Sequence, residues 1–367
     1  MRILLINDHK RREGGAETFV YGLAGNLEIP NRYIGKPLNQ HCHKVEVFGS
    51  DNGENFASLF SRWYSFKWYK KTKEKIAEFN PDLIHINNCQ RIVSPSVIDA
   101  SVNSGVPVVI TFHDFGYLCH RMGGILGHKK HKCYFDGCLG YNNDKYRNYK
   151  RLKLRLHRKM IKGKQITFVA PSKVLAKAME KFLEVSVQVI PNGINIPEEM
   201  TNYAKTILYV GGLNEEKGLQ TIVSVLNKVK GHDVKVLGVG ELKDELQKKY
   251  INIRFLGYNF PESFYKEASI MVVPSIWMEN CSYSVLEAMS YGLCVIASDI
   301  GGIPEQIEHM KTGMLFKAGD KKDFEEKLNY LLKNPKEIKR MGRNARRYVQ
   351  RNNNWKKITK QYEELYK

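Results

Sequence analysis

Short apolar runs alternate with longer amphipathic stretches along this chain, and that alternation restricts its fold more than any other feature. It is the signature of strand–helix units laid on parallel sheets. In the first half the pattern predicts strands at 2–7, 44–49, 83–86, 106–111, 166–170 and 187–190, with helices at 16–27, 62–79 and 172–182. A second series predicts strands at 206–210, 233–237, 253–255, 270–273 and 294–297, and the last 30 or so residues read as helix. Pro191, Asn192, Gly193 and Pro197 punctuate the join between the two series. For 367 residues, at roughly 100–200 per domain, two α/β domains are expected. We place one Rossmann-like domain at 1–192, a second at 193–350, and a terminal helix at 351–367 that crosses back to the first. Two such doubly wound sheets face a central cleft, and their ligands bind outside the carboxyl ends of the strands.

The loops after the strands carry the chemistry. Gly14-Gly15-Ala16-Glu17 opens the first helix, where two glycines let a ligand approach backbone amides suited to an anion. The second domain opens with Val210-Gly211-Gly212 and reaches Lys217-Gly218, a cation placed for a diphosphate. Gly238-Val239-Gly240 resembles the start of a dinucleotide fingerprint, but Lys243 stands at the third glycine position and a nicotinamide reading fails. The most informative stretch runs from Glu279 through Cys281, Ser282, Tyr283 and Ser284 to Glu287. One carboxylate sits in a loop and the other on the following helix, whose first amides form an anion site.

In this order, together with Pro81-Asp82-Leu83-Ile84-His85, Thr111-Phe112-His113-Asp114, Ala170-Pro171-Ser172, Pro191-Asn192-Gly193 and Gly301-Gly302-Ile303-Pro304-Glu305, these motifs resemble the retaining family 4 glycosyltransferases of the GT-B fold. The resemblance implies a sugar moved from a nucleoside diphosphate sugar, UDP- or GDP-linked, to a hydroxyl of a glycan or lipid-linked glycan. It implies that Glu287 binds ribose hydroxyls, Glu279 the donor sugar, and Lys217 the diphosphate with the amides after Cys281. His113 then approaches the donor sugar from the first domain, and Gly15 borders diphosphate and acceptor. Retention is ascribed in such enzymes to front-face attack, with the donor phosphate helping to remove the acceptor's proton. One departure is Gly212, where the family often carries Arg; Arg11, Arg12 and Arg254 are the candidate replacement cations.

None of the 12 aspartates is followed two positions later by another, so the paired oxygens that hold a hard cation in Asp-x-Asp enzymes are missing. A metal-independent reaction without cofactor is expected. Cys119, His120, His128, His131, Cys133 and Cys138 match no well-defined zinc spacing, and a long active-site loop of reduced thiols is the simpler account. An odd total of seven cysteines fits a reducing compartment. With neither a signal-peptide core nor an apolar run of about 20 residues, the chain is expected to start and stay in the cytoplasm.

The formal charge of +20 favours anionic partners, and residues 1–190 hold 31 basic against 16 acidic side chains. On the helix at 62–79, Phe66, Ile76 and Phe79 form one stripe, expected in the core. Tyr64, Trp68, Lys71 and Lys75 form another with the aromatic and cationic mix of a membrane-facing surface. Residues 146–164 place Tyr149, Leu152, Leu156 and Met160 on a core-like stripe within a strongly basic stretch. Docking on an anionic inner membrane face follows as an expectation. Three competing readings are a nucleotide-sugar epimerase, an inactive GT-B scaffold and a nucleic-acid-binding protein. The last lacks any recognised binding module and leaves the glycine and glutamate motifs unexplained.

Overall fold

The structure, a computed structural model, describes residues 1–9, 14–28, 32–33, 36–37, 43–50, 64–89, 94–117, 152, 155–156 and 158–367. The described residues divide into two compact units. One takes its residues from the chain up to Gly193 and again from Trp355–Lys367, and the other from Ile194–Asn354.

In the first unit six parallel strands form one sheet: β1 (Arg2–His9), β4 (Lys44–Ser50), β5 (Leu83–Ile86), β6 (Val108–Thr111), β7 (Ile166–Ala170) and β8 (Val187–Val189). The two-residue strands β2 (Arg32–Tyr33) and β3 (Lys36–Pro37) pair only with each other. The sheet order is β4-β1-β5-β6-β7-β8, so the winding reverses beside β1. Continuous burial of Ile3 to Ile6 and of β5 and β6 explains why these strands read as unbroken apolar runs. The helix Trp355–Leu365 completes this core. Trp355 packs on Phe19 with ring centres 5.9 Å apart, and Gly22 and Gly193 leave it the space a Cβ would take. Deeper in, His85 meets the Tyr366 hydroxyl at 2.7 Å and the Thr111 hydroxyl at 2.8 Å, all three buried.

The second unit repeats the plan with β9 (Thr206–Val210), β10 (Asp233–Leu237), β11 (Arg254–Gly257), β12 (Ile270–Val273), β13 (Cys294–Ser298) and β14 (Gly313–Phe316). Its order, β11-β10-β9-β12-β13-β14, reverses between β9 and β12. The strand Gly313–Phe316 was not anticipated; it is four residues long, opens on glycine and gains its place by pairing with β13. The helix Pro335–Asn352 closes this unit, and the Arg346 guanidinium donates to the carbonyls of Ser290 and Pro197, tying the chain's entry into the unit to the helix that closes it.

The helix expected from 62 begins at Phe66, with Ser65 as its cap; Ile76 and Phe79 are buried as expected, but Phe66 and Trp68 exchange the places expected of them. Phe66 is 81% exposed, whereas Trp68 is buried edge-on against Phe48 at 5.9 Å. Lys75 turns to Glu46 at 2.5 Å. In the basic stretch Met160 is buried but Leu152 is exposed, and most of 146–157 lies outside the described residues. Arg11, Arg12, Cys119, His120, His128, His131, Cys133 and Cys138 also lie outside them. No described helix is long and apolar enough to cross a membrane.

Candidate functional site

In the second unit the crevice at the winding reversal is bordered by the loops that follow β9 and β12. After β9 the chain turns through Gly211 and Gly212, and the Tyr209 hydroxyl fixes it by donating to the Gly212 carbonyl at 2.7 Å. A short turn, Glu215–Lys217, ends at Gly218, whose φ of 72° is left-handed and whose missing Cβ lets the Pro274 carbonyl sit against it. The Ile276 amide then donates to the Glu216 carbonyl at 3.0 Å, so one loop is built on the other.

This framework brings Lys217 and Glu279 together. Lys217 Nζ donates to Glu279 Oε1 at 2.6 Å, and the Ser275 hydroxyl donates to the same oxygen at 3.0 Å. The ammonium also lies 5.9 Å from the centre of the Trp277 ring. The Glu279 backbone is held by the Gly302 amide, which donates to its carbonyl at 2.7 Å. Gly301, at φ 60°, makes that approach possible, because any Cβ there would overlap the Glu279 carbonyl oxygen. The glycine pair quoted from sequence thus acts as a mould for the loop that carries Glu279.

Beyond Glu279 and the half-buried Cys281, Ser282 caps the helix Tyr283–Ser290 without a side-chain bond to its first turn; its hydroxyl pairs with that of Ser284 at 3.0 Å. Gln306 holds this junction from both sides: the Ser282 amide donates to its Oε1 at 2.9 Å, and its Nε2 donates to the Ser282 carbonyl at 3.0 Å. Ser282 was expected to offer its amide to an anion, but that N–H is already engaged. One turn into the helix stands Glu287, whose Oε2 accepts from the Tyr265 hydroxyl at 3.0 Å. Burial pushes the Glu287 carboxyl above its ordinary value, and the phenol's hydrogen bond works against that rise.

Gly238 and Gly240 serve a different purpose from phosphate binding. Both have φ near 150°, and a Cβ on either would strike the Gly211 or Leu213 carbonyl, so they let the loop after β10 lie flat on the glycine loop after β9. Arg254 proves a poor substitute cation: as the first residue of β11 it pairs with Asp233, first residue of β10, at 3.1 Å. Both stand at the amino ends of their strands, away from the loops just described.

The first unit has its own polar cluster at the carboxyl ends of β1, β5 and β6. Asn7 Nδ2 donates to Glu17 at 3.2 Å, and the Asn88 amide donates to Asn7 Oδ1 at 3.2 Å. His113 follows β6, packs against Phe19 with ring centres 4.9 Å apart, and meets Asn87 Oδ1 through Nε2 at 2.8 Å. With a carbonyl oxygen facing it, Nε2 carries the ring proton, and burial pushes His113 down to about 3, leaving it neutral near pH 7. Gly15 is the first residue of the helix Gly15–Glu28, and Gly14 accepts from the Thr18 amide at 3.0 Å and its hydroxyl at 2.9 Å.

The structure therefore gathers Gly211, Gly212, Lys217, Glu279, Cys281, Ser282, Tyr283, Ser284 and Glu287 along two loops and one helix, and sets His113 and Gly15 in the first unit. Sequence reasoning missed Tyr265, Ser275, Gln306 and Asn87. Only Gln306 had a signal, directly following the quoted Gly301 to Glu305 motif.

Residues 195–348 match the family described as Glycosyl transferases group 1, and residues 31–197 match Glycosyltransferase Family 4. The chain is 34% identical over 148 residues to the sulfoquinovosyl transferase SQD2 of Arabidopsis thaliana, covering 38% of this chain and 29% of that protein. It is 28% identical over 346 residues to an uncharacterized 42.6 kDa protein in the cps region of Klebsiella pneumoniae, covering 83% and 87%. The chain's match spans less than half the length of several curated relatives, at 29%, 41% and 48%. Among solved structures it is similar to Anabaena Alr3699/HepE in complex with UDP-glucose, with a TM-score of 0.73 and 17% identity over 100% of this chain and 99% of that one.

Proposed function

Because the chain belongs to the family 4 glycosyltransferases and has the GT-B fold, we propose that it moves a sugar from a nucleoside diphosphate sugar to a hydroxyl of a glycan or lipid-linked glycan. The observation that carries this reading is the placement of Lys217 and Glu279 beyond the carboxyl ends of β9 and β12, on loops that lock each other in place, with Glu287 on the helix that follows. The UDP-glucose complex of the Anabaena protein makes a UDP-sugar the first donor to test, with GDP-sugars second.

In the proposed reaction Glu287 accepts hydroxyls of the donor ribose and Glu279 those of the donor sugar. The acceptor oxygen bonds to the anomeric carbon as that carbon's bond to the β-phosphate oxygen breaks. The acceptor's proton passes to the departing phosphate oxygen on the same face, so configuration is retained and a nucleoside diphosphate leaves. Lys217 meets the charge that builds on the diphosphate, turning from Glu279 toward phosphate, aided by the first-turn amides of the helix Tyr283–Ser290. With this cation supplied by the chain, the reading requires no divalent metal. Neutral, half-buried His113 approaches the donor sugar with its ring set by Asn87, and the acceptor lies against the first unit.

The acceptor is proposed to reside at an anionic membrane, on a surface different from the one expected by sequence. Phe66 is exposed beside Lys67, Lys70 and Lys73, and Tyr64 packs on Phe66 and Tyr69 at 5.2 and 6.3 Å. An exposed aromatic among lysines suits a headgroup interface. Sedimentation with vesicles containing phosphatidylglycerol should be lost in Phe66→Ser and in 0.5 M salt; equal sedimentation with neutral vesicles refutes the surface.

The site itself is tested by melting temperature in UDP, GDP and ADP, since a ligand of the native state raises it. A rise with one nucleotide that disappears in Glu287→Ala supports the reading. No rise with any of the three, or a rise that survives the substitution, refutes it.

A further inference from the structure

Glu287 is held at its backbone from several directions. The Tyr291 amide and the Ser290 hydroxyl both donate to its carbonyl, at 3.2 and 2.7 Å, and Gln306 clamps the start of its helix. The freedom left is in its side chain, and there, among the described residues, a single hydrogen bond acts. Tyr265, 1% exposed on the short helix Glu262–Glu267, donates its phenol to Oε2 at 3.0 Å. That phenol is itself immobilised, because its ring lies against Tyr291 with centres 5.3 Å apart and packs into the core beneath β12. A buried hydroxyl needs a partner, and this one has been given to the carboxylate assigned to the donor ribose.

Resting on the donor reading above, we propose that Tyr265 is a positioning residue: its phenol occupies Glu287 Oε2, fixes the carboxylate plane and leaves Oε1 to a ribose hydroxyl of the donor. The arrangement has an electrostatic side. Burial of Glu287 and the nearby Glu262 both favour its protonated form, the Glu287 charge is felt by the Tyr291 phenol and raises it, and Tyr265 alone among these neighbours favours the ionised form. Lys266, on the helix of Tyr265, is engaged by Glu199 at 2.6 Å. Removing the phenol therefore both frees the carboxylate to rotate and lets it take up a proton at higher pH, where it accepts one hydrogen bond fewer from ribose.

The test compares wild type, Tyr265→Phe, Glu287→Gln and the double variant, titrated calorimetrically with UDP and GDP between pH 5 and 8 and assayed for nucleotide release from the matching sugar donors. Tyr265→Phe should weaken the nucleotide about tenfold at pH 7. Its KM for the donor should rise more than its kcat falls, and the acid limb of its binding profile should move to higher pH. Glu287→Gln should bind weakly with no acid limb, and adding Tyr265→Phe to it should change nothing further. An unshifted acid limb in Tyr265→Phe, or equal losses from that substitution in the presence and absence of Glu287, shows a merely structural tyrosine and overturns the proposal alone. Failure of the wild-type chain to bind either nucleotide overturns the donor site, and the proposal with it.

Discussion

Gly301 offers the sharpest test of how the Glu279 loop is shaped. An alanine there meets two separate penalties. Its φ of 60° is left-handed, which costs an L-residue about 1–2 kcal/mol. Its Cβ would overlap the Glu279 carbonyl oxygen and lie 2.9 Å from the Glu279 nitrogen and 3.1 Å from its carbonyl carbon. Uncrowded carbon contacts need about 3.5–4.0 Å, so Glu279 must retreat by about 1 Å, stretching the Gly302 bond and withdrawing its carboxylate from Lys217 and Ser275. A displacement of that size at a reacting centre costs about 100-fold in rate. Gly231→Ala is the control, because Gly231 has φ 73° and no heavy atom within 4 Å of a Cβ, so it suffers the backbone penalty alone. Urea unfolding should show a loss of about 1–2 kcal/mol in Gly231→Ala and a larger one in Gly301→Ala, which adds the clash to the backbone penalty. Only Gly301→Ala should lose about 100-fold in kcat/KM for nucleotide release. If the two variants keep the same kcat/KM, Gly301 does not shape the loop and the argument fails.

Lys217→Ala removes the cation proposed to meet the leaving group and should lower kcat by about 100- to 1,000-fold while Glu279 keeps its bond from Ser275; a loss below fivefold in steady-state assay counts against Lys217 as the diphosphate cation. Trp355→Ala empties the space that Gly22 and Gly193 surround and should cost about 3–5 kcal/mol in urea unfolding, with less than 1 kcal/mol refuting its place in the first unit's core. His85 and His113 are both pushed down to about 3 by burial, against an ordinary value near 6.5. The unfolded chain therefore binds protons that the native one refuses. Stability should be complete above pH 6.5 and fall by about 1.4 kcal/mol per pH unit per histidine as pH drops toward 3; unfolding free energies that stay level from pH 6.5 to 4.5 contradict that burial.

The strands were legible because parallel strands buried on both faces leave apolar runs bounded by turn residues, and β1, β9 and β12 are of that kind. Gly313–Phe316 escaped because four residues with a leading glycine carry little local preference and depend on β13 for pairing. On the helix starting at Phe66, Ile76 and Phe79 lie in the core as read, but Phe66 and Trp68 were exchanged because aromatic residues lie on both sides of it. Which one is buried is decided by Phe48, from a distant strand. At the site, the loop motifs were visible as residue types, but their supports were not. Tyr265 reaches Glu287 across 22 positions and Gln306 reaches Ser282 across 24, distances at which spacing carries no periodic signal. The same holds for Gly238 and Gly240, whose spacing imitated a nucleotide motif while their purpose is to clear two carbonyls.

The return of Trp355–Lys367 to the first unit has a consequence for synthesis on the ribosome. The second unit is drawn from one continuous stretch, Ile194–Asn354, and can close as soon as that stretch has emerged. The first unit, begun earlier, must wait for Trp355–Lys367, made after the second unit, because Trp355, Tyr362 and Tyr366 supply the aromatic layer over Phe19 and His85. Of the two units, the one begun first is completed second, and until then Phe19 lacks the aromatic cover of Trp355 and Tyr362.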